Sequence, residues 1–510
     1  MKAASHNPVP TQANAPSFMS PAAHRHETIL AEARPGASHG LAWDPIRASV
    51  DCWSLYSRLG DIWWTRAAGG PAIAAASRNR FDALVAFARA RSPFYRDAYR
   101  GLPAGRLDPA ALPVVTKRAL MNRFDDWVTD PALDLAGVTA FLVDREHIGE
   151  RYLGRYVIWK SSGSTGEAGI YVQNDDALET FDALMAVHLD PARFAAVHAW
   201  RIAARGGRAA LIAATGDHFA SIASWRRLTR NNPWIAARCF SIMDPLPQLV
   251  AELNAYRPAF VASYPTMLSL LAEERKAGRL EIDPVSLWSG GECLPAHMRV
   301  GIEAAFGCPV VNEYGASECM SMAFGCNEGW LHVNADWVLL EPVDDEFRPT
   351  PPGAPSRTVL LTNLANRVQP IIRYDLGDSV VVKPGPCACG SPLPAIEVEG
   401  RHDDVLAMAA PDGRIVRLLP LALTTVVEDA APASRFQILQ TAPDRLRLRL
   451  AARAPADRQA AWRALEKALR AFLDRQSLPN VRVSLDPGRP RTDRRSGKLR
   501  EVIASRRDHA

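Results

Sequence analysis

Between Asp175 and about Phe306 the chain alternates helical and strand-like segments: helix over Leu246–Tyr256, strand over Ala259–Ser263, helix over Thr266–Gly278, strand over Val285–Trp288. That alternation leaves few architectures open, because helices must cover a shared sheet, and the reading is an α/β layer fold. In open α/β sheets the loops at the C-terminal ends of strands line the ligand crevice. Ser289-Gly290-Gly291-Glu292 follows a strand and is a candidate substrate wall, or a plain tight turn. Val310–Tyr314 is a further strand, running into the polar turn Gly315-Ala316-Ser317-Glu318. A tyrosine ring beside a glycine can stack on a flat heterocycle, and Glu318 is a hard oxygen ligand of the kind Mg²⁺ prefers.

The stretch Ser161-Ser162-Gly163-Ser164-Thr165-Gly166-Glu167-Ala168-Gly169 alternates hydroxyls and glycines with nothing bulky between them. Glycines with φ > 0 let backbone N–H groups converge on an anion, and the hydroxyls add donors, so the loop suits a phosphate. Tyr156–Trp159 and Ile170–Val172 on its flanks read as β, so it joins two strands. A Walker loop would need Gly-Lys-Ser/Thr opening a helix, and that lysine is missing. The competing reading is an ordinary Ser/Gly surface hairpin. Farther on, Ile371–Val380 reads as strand, turn, strand, and Asp378 on the turn could accept two hydrogen bonds from a ribose diol. A hairpin closed by Asp-Leu-Gly-Asp is the alternative.

At 510 residues the chain exceeds what one core serves, so at least two domains are expected. Residues 1–40 read as a disordered leader, rich in Ala, Pro, Ser and His without periodicity. Phe81, Leu84, Val85 and Ala88 repeat at helical spacing, and that helix should end near Ser92-Pro93. After Gly400 a second, smaller α+β domain begins. Its helix face is Trp462, Leu465, Leu469, Phe472 and Leu473, with Asp457 expected as its cap. The closing loop, Arg491–Arg500, carries Lys498 at its tip. No apolar run approaches the roughly 20 residues of a membrane span, and no signal-peptide core is present, so the expected location is cytoplasmic. A net charge of +5 is too small for this length to imply nucleic acid binding.

Five features stand in one order: the Ser/Thr/Gly loop, Tyr-Gly-x-Ser-Glu (314–318), Tyr-Asp-x-Gly-Asp (374–378), Gly-Arg-x-Asp-Asp (400–404) and Ser-Gly-Lys (496–498). Together they resemble the superfamily of adenylate-forming enzymes, which holds acyl-CoA synthetases, adenylation domains and luciferases. Ala90–Tyr95 and Leu112–Lys117 are similar to the N-terminal signatures of its phenylacetate-coenzyme A ligase branch. The resemblance covers roughly residues 80 to 505. It implies a large N-terminal domain (41–400) of layered sheets and helices with a small mobile α+β C-terminal lid (401–510).

The resemblance also implies roles. Ser161, Ser162, Gly163, Ser164, Thr165 and Gly166 would cradle the ATP phosphates. Tyr314, with Gly315 and Ser317 beside it, would lie against adenine. Glu318 would hold Mg²⁺, Asp378 would bind the ribose, and Arg401 would contact ribose or phosphate. Lys498 would be the catalytic lysine, and Asp403 the hinge about which the lid swings. Where many members have a basic residue near the end of the phosphate loop, this chain has Glu167, Ala168 and Gly169, and Lys160 is a candidate substitute. An acyl pocket walled by Tyr264, Trp288, Ser289, Gly290, Gly291 and Asn312, with His218 and Phe219 near its mouth, would suit a flat ring or another bulky apolar acid. Cys326, His332, Cys387 and Cys389 could form a closed structural Zn²⁺ site, a reading favoured because similar Cys and His positions occur in the phenylacetate branch, or remain free thiols. The implied reaction is ATP-dependent activation of an acid to acyl-AMP, then transfer to coenzyme A. A carrier-protein thiol or an amine could instead accept the acyl group, and a non-catalytic nucleotide binder is the remaining alternative. The expected assembly is a monomer or homodimer without a membrane or nucleic acid partner.

Overall fold

The computed structural model describes residues 45–504 apart from 104, 162–167, 189–199, 203, 231–235, 400–404, 432–434, 452–454 and 492–499. The leader expected over 1–40 lies outside them. The first strands are β1 (Arg151–Tyr152), β2 (Tyr156–Lys160) and β3 (Ile170–Gln173), an antiparallel meander. Lys160 pairs with Ile170 across the Ser/Gly stretch, so that stretch does connect two strands. Strands β4 (Ala209–Ala213), β5 (Ala237–Ser241), β6 (Phe260–Ser263), β7 (Ser286–Ser289) and β8 (Val310–Tyr314) run parallel in the order β5-β4-β6-β7-β8. Every residue of β4 and β7 is buried, as expected of parallel strands covered on both faces.

The sheet continues antiparallel through β9 (Ala323–Gly325) and β10 (Leu331–Val333). Strands β11 (Val338–Val343), β12 (Thr358–Asn363) and β13 (Ile371–Asp375) form a separate three-stranded sheet. Strands β14 (Ser379–Val382) and β15 (Ala395–Glu399) return to complete nine strands in the order β14-β15-β10-β9-β8-β7-β6-β4-β5. This corrects the hairpin alternative for 371–380. β13 and β14 belong to different sheets, so Asp378 lies on a crossing between them.

Two N-terminal signatures that carry no role by sequence alone fasten this framework. The helix Gly70–Arg91 buries Phe81, Leu84, Val85 and Ala88 and ends at Ser92, whose hydroxyl caps the next helix, Pro93–Ala98. The Tyr95 hydroxyl, fully buried, donates to the Pro370 carbonyl at 3.0 Å and accepts the Ile372 N–H at 3.2 Å. Val115 then bridges to β13, donating to the Arg373 carbonyl (3.0 Å) and accepting from the Asp375 N–H (2.9 Å). Thr116 caps the short helix Lys117–Met121, which fixes Lys117 at its first turn.

The C-terminal residues build their own sheets: β16 (Leu406–Ala409) with β17 (Ile415–Leu418), and β18 (Arg435–Ala442), β19 (Arg445–Ala451), β20 (Arg482–Leu485) and β21 (Val502–Ile503) in the order β20-β19-β18-β21. Leu465, Leu469, Phe472 and Leu473 are buried on the helix Pro455–Arg475. That helix starts at Pro455, so Asp457 falls inside it and is not its cap. Leu406, Leu418 and Phe472 share one apolar cluster with Met267 and Leu271 of the helix Pro265–Lys276. Among the described residues no helix is long and apolar enough to cross a membrane.

His188 ends the helix Asp175–His188 and stacks on Phe324 of β9, ring centroids 3.9 Å apart. Its Nε2 lies 3.1 Å from Asn334 Oδ1. Burial, with Arg66 nearby, pushes the imidazole from 6.5 down to about 4. The unfolded chain takes up that proton below pH 6.5 and the folded chain only near pH 4, so this stability is present above about 6.5 and is lost as pH falls through that window. The slope from one such group is at most about 1.4 kcal/mol per pH unit. Urea unfolding between about pH 7 and 5 should fall less steeply for His188→Gln than for the parent. Identical slopes would assign the titration to another group.

Candidate functional site

The parallel strands end together, and an open cleft of about 2250 Å³ lies over part of that end of the sheet. Its wall carries Lys117, Ser161, Gly291, Asn312, Tyr314, Gly315, Ser317, Glu318 and Asp378. Thr424 and Glu428, from the helix Pro420–Ala430, and Arg500 line the same cleft. Seven segments distant in sequence therefore meet in one place.

Glu318 is the most tightly determined group. It is 6% exposed, and its Oε1 accepts hydrogen bonds from the Tyr171 hydroxyl at 2.6 Å and the Tyr374 hydroxyl at 2.8 Å. Tyr171 comes from β3 and Tyr374 from β13. Burial and then the Glu318 charge push both phenols well above their usual range, so both remain protonated donors. Lys117 Nζ stands 3.9 Å from the same Oε1. Asn363 Nδ2 holds the Glu318 carbonyl at 3.3 Å, and Trp159 Nε1 holds the Ser317 carbonyl at 2.8 Å. With Oε1 fixed by two phenols, the carboxylate presents a preset oxygen pair at the cleft wall.

Ser161, at the start of the Ser/Gly stretch, accepts the Gly169 N–H on its hydroxyl (2.8 Å) and lies 3.4 Å from Lys117 Nζ. A Cβ at Gly169 would stand 2.4 Å from the Tyr171 hydroxyl, so a side chain there would displace the phenol that holds Glu318. Ser162, Gly163, Ser164, Thr165 and Gly166 lie outside the described residues, as do Arg401, Asp403 and Lys498. Lys160, the substitute cation suggested by sequence, forms an ion pair with Asp217. Lys117 is the cation that stands beside Ser161. Sequence reasoning assigned it no role; the signal was the Leu112–Lys117 signature itself.

Tyr314 donates from its hydroxyl to Asp378 Oδ2 at 2.8 Å, which joins the stacking candidate to the sugar-binding candidate. Burial and the Asp378 charge push this phenol well above its usual value. Gly315 passes close to the following turn, where a Cβ would stand 3.3 Å from the Ser321 nitrogen.

Of the acyl-pocket residues, Gly291 and Asn312 line the cleft, and the other six are not among its lining residues. Tyr264 packs behind Gly291, its ring 3.0 Å from where a Cβ would stand, and burial raises its phenol to about 12. Gly290 passes close to Glu313, and Ser289 is fully buried with its hydroxyl unpartnered among the described residues. Trp288 Nε1 donates to Glu313 at 2.7 Å, and the Ser321 hydroxyl donates to the other oxygen at 2.8 Å. Burial raises the Glu313 carboxyl above its ordinary value. His218 is fully buried rather than at a mouth. Its ring Nε2 lies 2.9 Å from the Asp144 carbonyl, its own carbonyl accepts the Lys160 N–H at 2.8 Å, and Phe219 follows in a bridge to Lys160. Burial lowers the His218 imidazole.

At another part of the sheet, Cys326, His332, Cys387 and Cys389 bring their ligand atoms within 4.8 Å of one another. Cys326 and His332 flank the β9–β10 turn, and the two other cysteines lie between β14 and β15. The Cys326 and Cys387 sulfurs are 3.9 Å apart, too far for a disulfide at about 2.05 Å and close to the roughly 3.8 Å edge of a tetrahedron with 2.3 Å Zn–S bonds. His332 Nδ1 lies 3.0 Å from the Leu393 carbonyl, which favours the tautomer that leaves Nε2 as a ligand, and Nε2 is 3.1 Å from Cys389 Sγ.

No family model matches the chain. The protein CapK of Staphylococcus aureus is 27% identical over 139 residues, which are 27% of this chain and 29% of CapK, so the match spans less than a third of that relative. Among solved structures, a 2-hydroxyisobutyryl-CoA ligase in complex with 2-HIB-AMP and CoA, in the thioesterification state, is similar with 21% identity and a TM-score of 0.51, over 84% of this chain and 89% of that one. The same ligase in the postadenylation state with R3-HIB-AMP gives 21% identity and 0.48, over 86% and 90%. The similarity to the ligase in its thioesterification state shows a shared fold.

Proposed function

We propose that this chain is an AMP-forming acid ligase of the adenylate-forming superfamily, in its phenylacetate-coenzyme A ligase-like branch. The observation that carries the reading is the convergence of Lys117, Ser161, Glu318 and the Tyr314–Asp378 pair on one cleft at the ends of parallel strands. In the first step a carboxylate oxygen attacks the α-phosphorus of ATP, the bond to the bridging oxygen breaks, and pyrophosphate leaves. One anion attacks another, so cations must stand where charge develops. Lys117 supplies one from the large domain, and Lys498 is the proposed second. Arg500, two positions after Lys498, lines the same cleft, which supports that assignment. Mg²⁺ on Glu318 would offset triphosphate charge. In the second step the thiol of coenzyme A attacks the acyl carbon, its proton is lost, and AMP departs.

A swing of the 401–510 lid about Asp403 is proposed to exchange Lys498 for a thiol-binding face between steps. The acid is proposed to be aryl or otherwise bulky and apolar. Cys326, His332, Cys387 and Cys389 are proposed to hold a structural Zn²⁺. Three thiols and one imidazole fill four positions and leave none for a reactive water.

Acid-dependent exchange of labelled pyrophosphate into ATP, across a panel of aryl and bulky aliphatic acids, tests the first step. At least one acid should support exchange, and Lys498→Ala should bind ATP within a few-fold of the parent while exchange falls about a hundredfold. No exchange with any acid would overturn the reading. Product analysis with coenzyme A, a phosphopantetheinyl carrier and amines then identifies the acceptor.

A further inference from the structure

The helix Pro45–Ala67 is held to the protein by one side only. Ile62 is fully buried, Leu55 and Leu59 pack against the core, and Arg66 forms a 2.9 Å ion pair with buried Asp336. Arg58 is likewise anchored, donating to the Thr180 hydroxyl at 2.8 Å and pairing with Glu179. The orientation of the helix is thereby fixed, and what it turns outward is aromatic. Trp53 is 77% exposed, Tyr56 68%, Trp63 58% and Trp64 68%.

At about 100° per residue these four rings, together with Gly60 and Ala67, fall within a single arc of about 100° that runs about 21 Å along the helix. Gly60, at its middle, has open space where a Cβ would stand. Scaled by exposure, at about 200 Å² per ring, the four side chains present roughly 550 Å² of apolar surface. That lies at the upper end of what a monomer leaves bare, and it is about two-thirds of the roughly 800 Å² per partner that a standard interface buries.

We propose that this stripe pairs with the same stripe of a second copy of the chain, the two helices antiparallel and crossing at Gly60. A two-fold axis through Gly60 sets Trp53 against Ala67 of the second copy, and Tyr56 against its Trp64. Trp53 therefore meets a small side chain, Tyr56 and Trp64 meet ring to ring, and the axis itself passes between two glycines that permit close approach. Two other occupants fit less well. A membrane surface would call for free basic residues beside the aromatic face, and Arg58 and Arg66 are committed to acidic partners of their own chain. Residues 1–40 contain one aromatic, Phe18, and offer little to cover four rings.

The inference is independent of the reaction proposed above. Sedimentation of the full chain over a wide concentration range should show a monomer–dimer equilibrium. Trp53→Lys combined with Trp64→Glu should raise the dissociation constant at least tenfold while circular dichroism and the thermal midpoint stay close to the parent's. Gly60→Cys should form a covalent dimer through residue 60 under mild oxidation, because that position meets itself across the axis. The proposal is overturned by a parent that is monomeric throughout, including one whose rings are shielded by its own leader or that binds lipid vesicles as a monomer. A dimer unaffected by the double variant and lacking the cross-link would overturn it as well.

Discussion

Glu318→Gln should lower the rate of adenylation by about 10² to 10³-fold and raise the Mg²⁺ concentration needed for half-maximal rate, with little change in the folded state. The substitution is isosteric, and a glutamine Oε1 can still accept the Tyr171 and Tyr374 hydroxyls that now converge on Glu318. What it loses is the negative charge, and Nε2 becomes a donor where the second oxygen was an acceptor, so the group is a much weaker ligand for a cation. Glu318→Ala is a different experiment. It leaves two buried phenols without their acceptor at about 1–3 kcal/mol each, and its activity loss would mix chemistry with unfolding. Measuring kcat against Mg²⁺ for the glutamine variant, with a urea titration alongside, separates the two. An unchanged rate and unchanged metal requirement would remove Glu318 from the metal-binding role.

The purified protein should carry about one equivalent of zinc, and Cys389→Ser should lose it. The four ligands tie the β9–β10 turn to the segment between β14 and β15, so removing the metal unfastens the antiparallel edge of the nine-stranded sheet. A loss of a few kcal/mol there would lower the thermal midpoint by a few degrees, about 1 °C per kcal/mol at this chain length. Exchange activity, measured well below that midpoint, should persist, because a closed four-ligand site offers no place for a reacting water. Absence of zinc, with a midpoint indifferent to Cys389→Ser, would identify the cluster as free thiols.

Much of the framework was legible because the signals are local. The helix–strand alternation after Asp175 gave the parallel sheet, and β flanks with small residues between them gave the Lys160–Ile170 pairing. Cys326, His332, Cys387 and Cys389, which the structure brings together, could be grouped from residue type, spacing and the family resemblance. What stayed hidden depends on register between distant strands. Tyr171 and Tyr374 read as ordinary strand tyrosines, and nothing local tells that two strands 203 residues apart point their hydroxyls at one carboxylate. Asp378 looked like a hairpin turn because a crossing between sheets uses the same turn residues. Lys117 was hidden for a similar reason: its position follows from the bridge between Val115 and β13.

That same fastening governs when the site can form during synthesis. Tyr95 and the Pro370 carbonyl it binds are 275 residues apart in sequence, so the contact closes a loop spanning more than half the chain. The N-terminal helices can coil as soon as they leave the ribosome, but Lys117 acquires its place only after residues 371–375 have emerged. Until then Tyr95, Tyr99 and Trp127, all destined for the interior, lack the part of their cover that residues near 370 supply. The nascent chain thus passes through a long interval of exposed aromatic surface, the condition under which aggregation competes with folding and chaperones are needed.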